Sequence, residues 1–337
     1  MPGMRLRCAV LDDYQDAAAG AADWSTLADR VEVVRFREHF GSEDELVAAV
    51  GDCEVVVTLR ERVAFPAEVL RRLPRLRLLV ASGMRNSVID LAAAREGGVT
   101  VCGTESSSTP PVELTWALLL GLARGIVPES TALRTGGPWQ STLGADLAGR
   151  RLGLLGLGKI GARVARIGLA FDMEVLAWSQ NLTAQRAAQA GAVLAASKEE
   201  LLETSDFVSV HLVLGDRTRG LIGAPELARM KPTAHLVNTS RAAVVDQDAL
   251  LAALREGRIA GAAVDVFEQE PLPADHPLRT APRLLATPHL GYVTDANYRT
   301  YYGQAVEDIE AYLAGAPVRV LARGGETVEN GPNIPTS

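Results

Sequence analysis

Arg151-Leu152-Gly153-Leu154-Leu155 runs directly into Gly156-Leu157-Gly158-Lys159-Ile160-Gly161. A short apolar run ends in a glycine-rich turn. From Lys159 to Ala170 the pattern becomes helical, with Ile160, Val164 and Ile167 on one face. Gly156 permits a tight turn, Gly158 lets backbone approach a pyrophosphate, and Gly161 allows close helix–strand packing. The helix start, with Lys159 and Ile160, offers unpaired N–H groups and the positive end of its dipole to phosphates. A lone glycine turn is weak, but strand before and helix after make this one a dinucleotide site within a parallel α/β sheet.

Outward from that turn, strand-like and helix-like segments alternate, the signature of parallel sheets with crossover helices. Downstream strand candidates are Glu174–Trp178, Phe207–Leu212, His235–Asn238, Gly261–Val266 and Leu284–Ala286. Upstream they are Arg7–Leu11, Val31–Arg35, Glu54–Thr58, Leu76–Ala81 and Val99–Cys102, with helix-like Glu43–Val50 and Ala67–Leu73 between. Most are short and continuously apolar, as strands covered on both faces should be. A helix pattern after Pro110-Pro111 is apolar nearly all round, which predicts burial between domains or between subunits. A helical segment runs from about Thr294 to Ala314, and its return after Gly291 suggests that the chain crosses back onto its first domain.

At 337 residues the chain exceeds what one hydrophobic core usually serves, so two domains are expected. No apolar run approaches the ~20 residues of a membrane span, and the N-terminus lacks a signal-peptide h-region. This reads as a cytoplasmic protein with no membrane partner. The formal net charge is −7, the only lysines are Lys159, Lys198 and Lys231, and the arginines are scattered, so no nucleic-acid partner is expected. Cys8, Cys53 and Cys102 have no metal spacing and fit reduced, buried thiols. No metal is expected.

Three polar residues stand just beyond strand ends, where open α/β sheets bind ligands. Arg241 closes Asn238-Thr239-Ser240-Arg241, Glu270 precedes Pro271 in the segment after Gly261–Val264, and His289 lies in Thr287-Pro288-His289-Leu290-Gly291. Singly each has an ordinary explanation: a surface arginine, a loop carboxylate, a helix cap. Together they supply a carboxylate clamp, a proton-transfer group and a carboxylate to tune it. About 20 positions after the glycine turn, an NAD site usually carries an acidic residue that binds the ribose 2′-OH. Here Ser179 holds that place, and the nearest following arginine is Arg186. Both a tolerant NAD site and NADP use remain open.

In order and spacing, Gly156–Gly161, Asn238–Arg241, Val244-Val245-Asp246, Ala263–Phe267 with Glu270-Pro271, and Thr287–Gly291 resemble the D-2-hydroxyacid dehydrogenases. That family includes phosphoglycerate dehydrogenase and glyoxylate/hydroxypyruvate reductase. The resemblance reaches to about Leu321. It implies two doubly wound parallel-sheet domains, with a Rossmann cofactor domain (104–291) inserted in a discontinuous flavodoxin-like substrate domain (1–103 plus 292–323). Residues 324–337, polar and rich in glycine and proline, read as a disordered tail. A homodimer buried around Pro111–Arg124 is expected.

The resemblance also implies roles. Arg241 would bind the substrate carboxylate and polarise the 2-keto oxygen, His289 would exchange the proton on that oxygen, and Glu270 would pair with His289. Asp265 would hold the nicotinamide carboxamide of NAD or NADP. Thr239 and Ser240 would line the nicotinamide site, with Arg241, His289 and Gly291 at its edge and His211 and Leu212 bordering the cofactor. The substrate loop, often Gly-x-Gly in the family, reads Gly83-Met84-Arg85 here. Arg85 would put a large cation near the substrate or point to solvent. Glu270 argues against the formate dehydrogenase branch, which uses glutamine there, and the absence of a regulatory domain after Leu321 argues against the extended phosphoglycerate dehydrogenases. The function implied is hydride transfer between NAD(P)H and a small 2-keto or 2-hydroxy acid. Alternatives are a dinucleotide-sensing corepressor-like binding protein, or a biosynthetic dehydrogenase for an unusual 2-hydroxy acid.

Overall fold

The structure is a computed structural model that describes Arg5–Gly324, so the expected tail beyond Gly324 lies outside the described residues. Among the described residues, one compact unit holds Arg5–Ser107 and Thr294–Gly324; the other is Ser108–Val293. Strands β1 (Leu6–Val10), β2 (Val31–Arg35), β3 (Val55–Thr58), β4 (Leu78–Ala81) and β5 (Thr100–Gly103) belong to the first unit. Strands β6 (Arg151–Leu155), β7 (Glu174–Trp178), β8 (Val193–Leu194), β9 (Phe207–Val210), β10 (His235–Asn238), β11 (Gly261–Val264) and β12 (Leu284–Ala286) build the second, and β13 (Val320–Ala322) returns to the first.

The first unit's sheet runs β13-β5-β4-β3-β1-β2, all parallel except β13, which pairs antiparallel with β5. Without β13 this is the flavodoxin-like order, with its switch point between β1 and β3. Helices α1 (Ala18–Ala21), α2 (Glu43–Val50), α3 (Ala67–Arg71) and α4 (Leu91–Glu96) cross between its strands. Strands β3, β4 and β5 are buried at every residue. Continuous apolar runs such as Val55-Val56-Val57 arise for that reason: both faces are covered.

The second unit's sheet runs β12-β11-β10-β9-β6-β7-β8 and is parallel throughout. Its strand order reverses at β6, the switch point of a Rossmann sheet. Helices α5 (Thr109–Ala123), α6 (Ile126–Arg134), α7 (Lys159–Ala170), α8 (Ala184–Gln189), α9 (Lys198–Thr204), α10 (Ala224–Arg229) and α11 (Gln247–Arg255) belong here; α12 (Asp295–Leu313) belongs to the first unit. Side chains alternate across the sheet as the pleat requires. Leu155, Val208, Val210, Leu236 and Val264 enter the core beneath α9–α11. Leu152, Leu154, Phe207, Val237 and Ala263 enter the opposite core with α5 and α7. Asp246 starts α11 by accepting the Ala249 N–H at 2.9 Å, and Ser197 and Thr183 start α9 and α8 the same way.

The helix after Pro111 finds most of its cover inside its own unit. Helix α5 lies against α7, β10, β11 and β12 of its own unit and buries Val112, Trp116, Leu118 and Leu119 there. Its apolar surface is therefore largely covered within one chain. The uncovered apolar side chains come next: α6 buries nothing, and Ile126, Val127, Leu133, Trp139 and Leu143 are exposed. No single helix among the described residues is long and apolar enough to cross a membrane. Cys8, Cys53 and Cys102 are all buried and free, and burial pushes the Cys53 thiol up to about 11 and that of Cys102 to about 12.

Candidate active site

Gly156 follows β6 with φ +100°, a conformation that excludes side chains, and a Cβ there would lie 2.6 Å from the His211 carbonyl oxygen. Its N–H donates to the Trp178 carbonyl at 2.9 Å, which ties the turn to the end of β7. Gly161 approaches the Gly156 carbonyl so closely that a methyl group would collide with it. Gly158, by contrast, faces open space before the first turn of α7, and no side chain caps that helix. An uncapped twelve-residue helix start behind a glycine with free space in front fits a pyrophosphate. Lys159 is exposed and Ile160 half-buried at that turn.

Ser179 follows β7 directly and is half-buried, and no carboxylate occurs between Trp178 and Arg186. Arg186 is exposed on α8. His211 and Leu212 follow β9, and a Cβ on Gly156 would lie 3.2 Å from Leu212 Cδ2. Protein encloses the His211 ring, although the residue keeps some open surface, and its Nε2 lies 2.9 Å from Ser209 Oγ. Burial pulls its pKa down to about 4, so the ring is neutral near pH 7.

Asn238 ends β10 and is buried. Its Oδ1 accepts both the N–H and the hydroxyl of Ser240 at 3.1 Å, and its Nδ2 donates to the Arg241 carbonyl at 3.1 Å. This side-chain turn sets the course of the backbone through Arg241. The Thr115 hydroxyl donates to the Pro111 carbonyl at 2.7 Å, so Thr239 is the donor in the 2.8 Å Thr239–Thr115 bond. The Arg241 Nη1 donates to the Ser240 carbonyl at 2.8 Å.

The ends of β11 and β12 are stitched together. Nδ1 of His289 lies 2.6 Å from Oε2 of Glu270, and the Phe267 N–H donates to Oε1 of the same carboxylate at 2.9 Å. Tyr292 meets the His289 ring edge-on at 5.2 Å. Asp265, fully buried, accepts from Thr287 Oγ1 at 2.6 Å, Leu290 N at 2.7 Å and Gly291 N at 2.8 Å. Burial pushes its carboxyl above the usual aspartate range, against the pull of these bonds and of His289.

Gly83, Met84 and Arg85 belong to the other unit, just beyond β4. Gly83 has φ +95° and donates its N–H to Thr104 Oγ1 at 3.1 Å, while Met84 and Arg85 are exposed. The Arg60 guanidinium fills the space a side chain on Gly83 would need. Asn86 Nδ2 donates to the Arg60 carbonyl at 2.7 Å, and the Arg60 N–H donates to Ser82 Oγ at 2.7 Å. Arg60 carried no sequence signal beyond its place after β3. The contacts of Thr287 and Tyr292 were equally hidden, whereas an Asn at a strand end followed by Thr-Ser is itself a turn signature.

Every expected polar group outside that loop therefore falls in one unit, along the C-terminal ends of β6, β7 and β9–β12. The structure joins His289 to Glu270, Asp265 to Leu290 and Gly291, and His211 to the Gly156 turn. Residues 116–291 match the family described as D-isomer specific 2-hydroxyacid dehydrogenase, NAD binding domain. The chain is 40% identical over 257 residues to the glyoxylate reductase of Aeropyrum pernix, covering 74% of this chain and 76% of that protein. It is 35% identical to the D-3-phosphoglycerate dehydrogenase of Methanocaldococcus jannaschii over 87% of this chain, but spans 55% of that protein's length. The solved phosphoglycerate oxidoreductase of Vibrio cholerae superposes with a TM-score of 0.87 at 36% identity, covering 92% of this chain and 100% of that one. The chain thus belongs to the D-isomer-specific 2-hydroxyacid dehydrogenases, oxidoreductases that move a hydride between NAD(P)H and a small 2-keto or 2-hydroxy acid.

Proposed function

We propose that this enzyme works chiefly as a reductase of a short 2-keto acid such as glyoxylate, with Arg241, Glu270 and His289 as its chemical groups. The observation that carries the reading is the 2.6 Å contact between His289 Nδ1 and Glu270 Oε2. It commits Nδ1 to a carboxylate, so Nε2 is the ring nitrogen left to meet a substrate. Bound NAD(P)H supplies the hydride that reaches C2 of the keto acid. Nε2 of a protonated His289 gives its proton to the 2-oxygen, and Glu270 stabilises the charged ring and fixes its orientation through Nδ1–H. Arg241 holds the substrate carboxylate, since a planar guanidinium matches its two oxygens. Gly83, Met84 and Arg85 are proposed as further substrate contacts. Gly156, Gly158, Lys159, Ile160 and Gly161 hold the pyrophosphate, Ser179 meets the adenosine ribose, and His211, Leu212, Thr239, Ser240, Asp265 and Gly291 line the rest of the cofactor site. Oxidation of NADH and NADPH against a panel of 2-keto acids tests the reading; no turnover of any of them would refute it.

Assembly and location belong to the same proposal. The enzyme works as a homodimer, and the surface offered to the second copy is Ile126, Val127, Leu133, Trp139 and Leu143. Trp139 is 81% and Leu143 100% exposed, and a soluble monomer rarely displays such groups together. Glu129 folds the 139–143 stretch back onto α6 by accepting Ser141 N and Ser141 Oγ, each at 2.9 Å, and Thr142 N. Hydrogen bonds from Thr142 and Ser141 hold its carboxyl down to about 2, so the clasp is charged at neutral pH. Three buried free thiols suit a reducing cytoplasm.

A further inference from the structure

His289 has φ +53°, a left-handed conformation that a non-glycine residue keeps only where its surroundings enforce it. Two consecutive N–H groups beyond it, from Leu290 and Gly291, converge on the two oxygens of Asp265 at 2.7 and 2.8 Å. Converging backbone N–H groups of this kind form an anion-binding concavity, and here the anion is a side chain of the same unit. Thr287 Oγ1 reaches the carboxylate from the other side of His289 at 2.6 Å. The His289 N–H is turned back onto the Thr287 carbonyl at 3.0 Å. Residues 287–291 are thus wrapped around one buried carboxylate. Gly291 suits the wrap, because a Cβ there would lie only 3.1 Å from Asp265 Oδ2, a tight approach to the carboxylate.

We propose that Asp265 is a positioning residue for proton transfer: its carboxylate holds the Thr287–Gly291 loop in the shape that aims the His289 imidazole. The inference rests on His289 being the proton donor. Both Asp265 oxygens are engaged by the loop, so its first effect falls on His289, whatever it also contributes to a nicotinamide. The same carboxylate couples two strand ends, since it leaves β11 and grips the segment after β12. Asp265→Asn keeps one acceptor oxygen but presents an NH2 to a backbone donor. One clamp bond is then lost and becomes repulsive.

The test uses the full chain carrying Asp265→Asn, Thr287→Val and His289→Ala, each measured three ways. The chain has five histidines, so a spectrum of the 13C-histidine-labelled protein without cofactor is simple, and the His289 signal is the one missing in His289→Ala. The expected result for Asp265→Asn is a displaced His289 signal with the other four unmoved. Because Asp265 also lines the proposed cofactor site, NADH affinity by fluorescence titration is read alongside, and kcat for keto-acid reduction at saturating NADH should fall roughly tenfold to a hundredfold. Thr287→Val, which removes a single bond and no charge, should displace the His289 signal in the same direction with a smaller fall in kcat. An unmoved His289 signal in both variants overturns the proposal and, with a weakened NADH affinity for Asp265→Asn, assigns Asp265 to the cofactor alone. Should His289→Ala keep most of its reductase activity, the proton-donor reading fails instead, independently of what Asp265 does to the loop.

Discussion

Glu270 grips His289 with one carboxylate oxygen, at 2.6 Å from Nδ1, and is itself gripped by the Phe267 N–H through the other, at 2.9 Å. The acid that orients the ring is therefore oriented by the backbone after β11, and neither side chain is free to swing. A ring held this way presents Nε2 in one direction only, as a positioned proton donor requires.

His289→Ala should lower keto-acid reduction by roughly two to four orders of magnitude, the usual worth of a general acid. Cofactor affinity should change little, because the Gly156–Gly161 turn lies elsewhere along the sheet edge. Arg241→Ala should damage both KM and kcat, since a guanidinium on the substrate carboxylate would grip ground state and transition state alike. Steady-state kinetics with one working keto acid separate the two patterns.

Ser179 stands where an acidic residue would repel a 2′-phosphate, and no carboxylate lies between Trp178 and Arg186. NADPH should therefore be accepted alongside NADH. A kcat/KM ratio favouring NADH by more than about a thousandfold, roughly 4 kcal/mol, would defeat this expectation.

Trp139→Ala should weaken self-association by roughly thirtyfold, the effect of losing a hot-spot side chain worth about 2 kcal/mol. Light scattering across a dilution series reads this directly. A parent protein with monomer mass at micromolar concentration would remove the homodimer from the description.

Acid sensitivity should trace in part to His211. Burial holds its ring at about 4 in the folded state against 6.5 for an unperturbed histidine. The unfolded chain thus takes up this proton first as pH falls, which favours unfolding. The stability contribution is complete above 6.5 and is lost as pH drops through about 4. His211→Gln should flatten the fall in Tm across that window; a slope unchanged by the substitution would show that other groups govern it.

Much of this architecture was legible because parallel strands covered on both faces are written as unbroken apolar runs: β2, β6, β7, β10 and β12 begin and end at the residues expected. Other runs were drawn too long. Leu76 turns back to Leu73 through its N–H before β4 begins. Strand β8, two residues long, is too short for any periodicity, and β13 exists only by pairing with β5. Ile160, Val164 and Ile167 do share the face of α7 that packs on the core, but the helix buries Gly161, Ala165 and Gly168 more deeply than either isoleucine. Glycine carries no hydrophobic signal, yet its lack of bulk brings α7 close: a Cβ on Gly168 would lie 2.9 Å from Leu152.

At the site, the residue types and their strand-end positions were readable, because the glycine turn and the three polar motifs are local. What joins them was not. Asp265 meets the His289 loop from 25 residues away, and the left-handed backbone at His289 leaves no mark in composition. Arg60, lying over Gly83, became visible only once β3 and β4 were side by side.

The antiparallel strand β13 has a consequence for synthesis on the ribosome. Residues 108–293 carry every strand of the seven-stranded sheet, so that unit holds all its pairing partners before Thr294 has been translated. The segment that emerges first does not. Until the end of the chain arrives, β5 keeps an open edge, and Asp13 waits for the Tyr302 hydroxyl on α12. The middle of the polypeptide can thus complete its sheet before its beginning does, while the edge of β5 stays open until β13 is made.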